Sequence, residues 1–140
     1  MKRNISHIVV HCTAAPQTQT LWSLCRYFLR GRGWNWPGYH YVVMPSGLAV
    51  PLVGLDQIVN GATGYNAIGV HVAYVGGIDS KGHPVDNRTP EQKATLRLLI
   101  AQLHRLYPKA RVCGHRDLPN VQKACPCFDV EEEYADLIDA

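Results

Sequence analysis

Two apolar runs with a period of two decide what this chain can fold into. In the first, Ile5, His7, Val9 and His11 fall on one face, and Ser6, Ile8 and Val10 on the other. Both faces are mostly apolar, which fits a central strand covered on both sides. In the second, Ile68, Val70, Val72 and Tyr74 alternate with Gly69, His71, Ala73 and Val75, so Ala67 to Val75 also reads as a strand. A strand covered on both faces needs other elements above and below it.

The chain supplies those elements between its strands. Leu21, Leu24, Cys25, Phe28 and Leu29 recur at helical spacing. They predict an amphipathic helix of about three turns, capped by Thr18 or Thr20 and stopped at Gly31 or Gly33. Tyr39 to Met44, the turn Pro45-Ser46-Gly47 and Leu48 to Leu52 predict a hairpin. Thr89-Pro90-Glu91-Gln92 combines a cap, a proline at the first helical position and a capping box. The stripe behind it is Leu96, Leu99, Ile100, Leu103, Leu106 and Tyr107. A short strand, Arg111 to Cys113, follows, and Asp129 caps a last helix. Interleaved strands and helices without a repeat predict an α/β fold: one domain over residues 1–140, with a mixed central β-sheet flanked by helices.

The bulk numbers narrow the function classes. With 140 residues, 46% of them hydrophobic, the chain can bury a core without disulfides. Five cysteines is an odd number and argues against a disulfide framework. A formal charge of +3 with no run of basic residues does not fit a nucleic-acid partner. No apolar stretch is long enough for membrane insertion. Met1-Lys2-Arg3-Asn4 carries charge like the start of an export signal, but Ile8-Val9-Val10 behind it is too short for the apolar part. The expectation is synthesis in the cytoplasm, as a monomer, with action elsewhere only after release or export.

Chemistry concentrates in two places. One is His11, at the end of the first strand. The other is the stretch from Gly114-His115-Arg116-Asp117 to Lys123-Ala124-Cys125-Pro126-Cys127. Proline and glycine punctuate it, so it reads as a loop, where chemistry tends to sit. His11, His115 and Cys125 offer the imidazole and thiolate donors that zinc prefers, with room for an open position. Spacing alone leaves other readings open. Cys125-Pro126-Cys127 could be a redox pair, though a disulfide there would close a very tight ring. Cys125 or Cys12 beside a histidine could be a nucleophile. His71 reads as a packed, hydrogen-bonded core histidine. His7 shares a face with His11, but four residues on a strand separate them by ~13 Å.

Five ordered motifs resolve the choice. They are Ile8-Val9-Val10-His11-Cys12-Thr13-Ala14, Gly38-Tyr39-His40-Tyr41, Gly64-Tyr65-Asn66-Ala67-Ile68-Gly69-Val70, Gly76-Gly77-Ile78-Asp79 and Lys123-Ala124-Cys125-Pro126-Cys127-Phe128-Asp129. Together they resemble the zinc-dependent N-acetylmuramoyl-L-alanine amidases of the phage T7 lysozyme type, relatives of the peptidoglycan recognition proteins. The resemblance implies one zinc ion held by His11, His115 and Cys125. It implies catalytic roles for Tyr39 and Lys123, and hydrolysis of the amide joining N-acetylmuramic acid to L-alanine in peptidoglycan. His40, Trp34 and Arg116 are further candidates for contact with the muropeptide. Asp117 is a candidate partner for a ligand imidazole, or a loop cap. Arg30 and Arg32 read as solvated.

The chain departs from the T7-type pattern in three ways. Asn60-Gly61-Ala62-Thr63 lacks a histidine that the pattern places before Gly64-Tyr65-Asn66. The span from His115 to Lys123 and the strand from Ile68 to Gly77 are each two residues longer. A muropeptide-binding module without catalysis, or a polymerase-regulating protein of the same fold, is the alternative function.

Overall fold

A computed structural model describes residues 3–138. Met1 and Lys2, part of the charged start considered above, lie outside them. Five strands form one mixed sheet in the order β3-β2-β4-β1-β5. They are β1 (His7–Cys12), β2 (Tyr41–Val43), β3 (Ala49–Pro51), β4 (Gly69–Tyr74) and β5 (Arg111–Gly114). β1 runs parallel to both β4 and β5, and β2 runs parallel to β4. The hairpin partner β3 pairs antiparallel at the edge, where Pro51 is tolerated. Both long apolar runs are therefore interior strands, as their two apolar faces require.

Helix α2 (Pro90–Leu106) covers one face. Thr89 caps it as a capping box: its hydroxyl accepts from the Gln92 amide, and the Gln92 side-chain oxygen accepts from the Thr89 amide. Leu96, Leu99, Ile100 and Leu103 bury against Ile8, Val10, Val70, Val72 and Val112. Burial of each such side chain stabilises by roughly 2 kcal/mol, against about 1 kcal/mol for the cap. Packing therefore decides the helix, and the cap sets where it starts. Leu106, expected on the stripe, lies in the last turn and is exposed.

Helix α1 (Leu21–Arg26) starts at Thr20, whose side chain accepts from the amide of Ser23. Its continuation, Tyr27–Gly31, winds as a π-turn in which the Arg32 amide bonds to the Tyr27 carbonyl. The wider turn alters the angular spacing that a regular helix would impose. Phe28 stays buried, whereas Leu29, expected on the apolar stripe, is exposed. Leu24 and Phe28 cover Val42, Ala73 and Val75 on the second face of the sheet. Beside them Ala62 and Leu118, from two loops, cover Val9 and Cys113.

Two arginines tie irregular segments to this frame. Arg3 donates to the carbonyls of Leu55, Asn66, Ala67 and Gly69, gathering the glycine-rich connection beneath β4. Arg88 is 7% exposed and lies 3.4 Å over the ring of Phe128. It is paired to Asp86 and Glu133 at 2.7–3.0 Å. That cluster docks the chain after Cys125 and helix α3 (Val130–Glu133), which Asp129 caps as expected. A short helix α4 (Ala135–Ile138) follows. Among the described residues no helix is long and apolar enough to cross a membrane.

Candidate metal centre and cleft

Strand register brings the distant ligand candidates together. In the β1–β5 pair Val10 lies opposite Gly114, so His11 and His115 are the next residues along. Their rings sit 4.7 Å apart. His115 opens a single 3₁₀ turn (His115–Asp117), closed where Asp117 Oδ2 accepts from the Gly114 amide at 2.8 Å. Asp117 is thus the loop cap rather than the partner of a ligand imidazole.

Cys125 arrives from the following loop. The buried Tyr74 hydroxyl donates to the Pro126 carbonyl at 2.6 Å, and the Arg116 amide to the Cys125 carbonyl at 2.9 Å. The result is a group in which one donor atom each from His11, His115 and Cys125 lies within 4.8 Å of the others. His11 is 1% exposed; the other two are half-buried. Two imidazoles and a thiol on one open cleft form a donor set that fits zinc.

The electrostatics prepare these groups to ligate. The Cys125 thiol is held below its usual range, first by the Cys12 side chain and also by the Cys12 amide, which donates to its Sγ at 3.2 Å. Burial opposes this, and Lys123 assists. Burial, then Lys123, pushes His115 down. His11 falls well below its ordinary value, chiefly through burial. All three therefore favour the deprotonated form that a metal needs. Cys12 itself is pushed far up and stays a thiol. Gly77 makes room for it: at φ +102°, a Cβ there would lie 2.5 Å from the Cys12 Sγ. All five cysteines are free, and Cys127 lies outside the group, directed at the Gly77 carbonyl.

The centre lies in an open cleft of about 640 Å³. Tyr39 and Lys123 both line it. The Tyr39 ring is 5.2 Å from that of His11, and its hydroxyl lies 3.4 Å from the Cys12 carbonyl. Burial, with Cys125 nearby, raises its pKa, so it remains a donor. Trp34 also lines the cleft, stacked 5.8 Å from Phe28.

Two expectations are corrected. His40 is fully buried; its Nδ1 accepts from the His71 amide at 3.0 Å and its Nε2 donates to the Gln57 carbonyl at 2.7 Å. Both nitrogens are used in holding β2 to its surroundings, so it is not a substrate contact. The exposed Arg116 side chain lies outside the cleft lining; its contribution is the backbone bond to Cys125.

Other residues emerge only from the fold. Ser23, Tyr27 and Arg32 of the α1 region also line the cleft, so the exposed Arg32 is not merely solvated. One signal was available: no Asp or Glu precedes Asp56, so Arg32 has no carboxylate near it in sequence. Asn60 to Thr63, where the T7-type histidine is missing, also line the cleft. His71 is a buried core histidine as expected, but its Nδ1 lies 2.9 Å from the Nε2 of His11.

Comparison with known proteins agrees with this geometry. A family model described as N-acetylmuramoyl-L-alanine amidase matches residues 1–128. The chain belongs to that amidase family. It is 34% identical to an endolysin of Enterobacteria phage K11 over 131 residues, covering 93% of this chain and 85% of the relative. It is 35% identical to an endolysin of Escherichia phage T7, covering 89% and 82%. Among solved structures, N-acetylmuramoyl-L-alanine amidase LysC from Clostridium intestinale superposes with a TM-score of 0.79 at 26% identity, covering 96% of this chain and 86% of that one. The mixed sheet flanked by helices is therefore the amidase fold that the five motifs implied.

Proposed function

We propose that this amidase is zinc-dependent and cleaves the amide between the lactyl group of N-acetylmuramic acid and L-alanine in peptidoglycan. The observation that carries the reading is the juxtaposition of His11, His115 and Cys125 within 4.8 Å, in a cleft that Tyr39 and Lys123 also line. Zinc, when bound there, supplies a Lewis acid that polarises the scissile carbonyl and acidifies a water.

The chain's own residues do the rest. His11, His115 and the Cys125 thiolate would hold the ion. The ammonium of Lys123 faces the same cleft and stabilises negative charge as it develops on the amide oxygen. The Tyr39 hydroxyl, kept protonated by burial, donates a hydrogen bond to that oxygen or passes a proton toward the leaving amine. Trp34 offers a flat aromatic face to a sugar ring, and Arg32 a cation to a stem-peptide carboxylate. Gln19 Oε1 lines the cleft and is buried without a partner in the fold, so it can accept from a peptide N–H. Retention of all three ligand types supports catalysis over the alternative of a module that binds without cleaving.

Digestion of purified peptidoglycan tests this. New amino-terminal L-alanine is the expected product. New reducing ends in its place would mean a glycosidase, and binding without either product would mean a recognition module.

A further inference from the structure

The His71 contact with His11 fixes more than position. Tyr65 presents a carbonyl to the Nε2 of His71 at 3.2 Å. A carbonyl can only accept, so His71 carries its proton on Nε2. In the neutral ring Nδ1 is then a lone pair, and it faces the Nε2 of His11 at 2.9 Å. His11 must therefore donate from Nε2, which leaves Nδ1 as its one free lone pair. We propose that His71 is a positioning residue that selects the Nε2–H tautomer of His11, so that His11 meets the metal through Nδ1.

The fold holds His71 for this task. Val9 and His71 are register partners on β1 and β4, so His71 shares the face of the sheet that carries His11 two residues further on. Its amide donates to His40 Nδ1 at 3.0 Å, and its carbonyl accepts from the His40 amide at 2.8 Å. Two glycines leave space for the ring. A Cβ at Gly61 would lie 2.2 Å from His71 Nδ1, and one at Gly69 2.7 Å from its Nε2. The ring is fully buried and bonds no carboxylate among the described residues, which favours the neutral imidazole. An imidazole placed this way does for His11 what a carboxylate or carbonyl commonly does for a metal-bound histidine.

The inference rests on the zinc reading only for its second measurement. The first is a long-range proton–nitrogen NMR spectrum of histidine-labelled, metal-free protein at neutral pH. Expected are Nε2–H tautomers for both His11 and His71. An Nδ1–H tautomer at either would overturn the proposal. The second is zinc affinity, measured by competition with a chelator. His71→Leu should weaken binding by about 10- to 100-fold, and His71→Asn, whose side-chain oxygen can accept near the place of Nδ1, should restore most of it. Unchanged affinity in His71→Leu would overturn the assignment. If that variant does not fold, the wild-type spectrum still decides. A failure of the wild-type protein to bind zinc would count against the zinc reading alone.

Discussion

The backbone amide of Cys12 donates to the Sγ of Cys125 across 113 positions of sequence, at 3.2 Å. It joins the residue after His11 to Cys125, and it favours the thiolate form of Cys125. Cys12→Ala keeps that amide but removes the side chain's contribution, the largest in lowering the Cys125 pKa. The expected outcome is slower alkylation of Cys125 in metal-free protein at neutral pH, because the thiolate fraction falls. Site-resolved mass spectrometry of the alkylated chain measures it. An unchanged rate would contradict the role given to Cys12.

Lys123 and Tyr39 line the cleft without belonging to the ligand group. Lys123→Ala and Tyr39→Phe should therefore keep stoichiometric zinc while kcat/KM falls by about 10²-fold or more. Metal analysis beside peptidoglycan kinetics separates the two effects. Loss of zinc from either variant would move that residue from chemistry to metal retention.

Much of this site was legible in the sequence, for a physical reason. His11 ends an apolar strand, and His115 and Cys125 stand in a loop broken by glycine and proline; both are local patterns. The order of the motifs then joined segments a hundred residues apart. What the sequence could not show depends on register. His71 looks like any core histidine until β1 and β4 are aligned and its ring meets His11. His40 follows Tyr39 and suggests a substrate contact, yet its ring stacks beside buried His71 and both its nitrogens bond within the fold. The π-turn after α1 was invisible to a pattern of 3.6, so Leu29 was misplaced and Arg32 overlooked as a cleft residue.

Arg88 tests the frame rather than the chemistry. Its guanidinium is buried against Phe128 and paired to Asp86 and Glu133, which are partly exposed. Solvent screening of those carboxylates reduces the cost of separating the charges. Arg88→Ala should still lower stability by about 2 kcal/mol through lost charge-assisted hydrogen bonds and packing. Urea denaturation reads this as a lower midpoint at unchanged slope. No change would mean that the cluster does not anchor α3.

Two buried histidines should make the metal-free protein acid-sensitive. Burial pushes His40 down to about 4 and His71 to about 3, from an unfolded value of about 6.5. Between pH 6.5 and 4 the unfolded chain takes up protons that the folded chain refuses. Stability is full above that window and falls as pH drops through it, with a limiting slope of about 1.4 kcal/mol per pH unit for each group. Urea midpoints at pH 7 and pH 5 in the presence of chelator measure the effect. Equal midpoints would contradict it.

We propose above that His11, His115 and Cys125 hold one catalytic zinc ion. Metal content and release of amino-terminal L-alanine, measured on one preparation before chelation, after chelation and after zinc is added back, test it most directly. Expected are one zinc per chain, loss of activity with the metal, and recovery at about one equivalent. Cys125→Ala should neither retain zinc nor recover. Full activity in protein that contains no metal would contradict it.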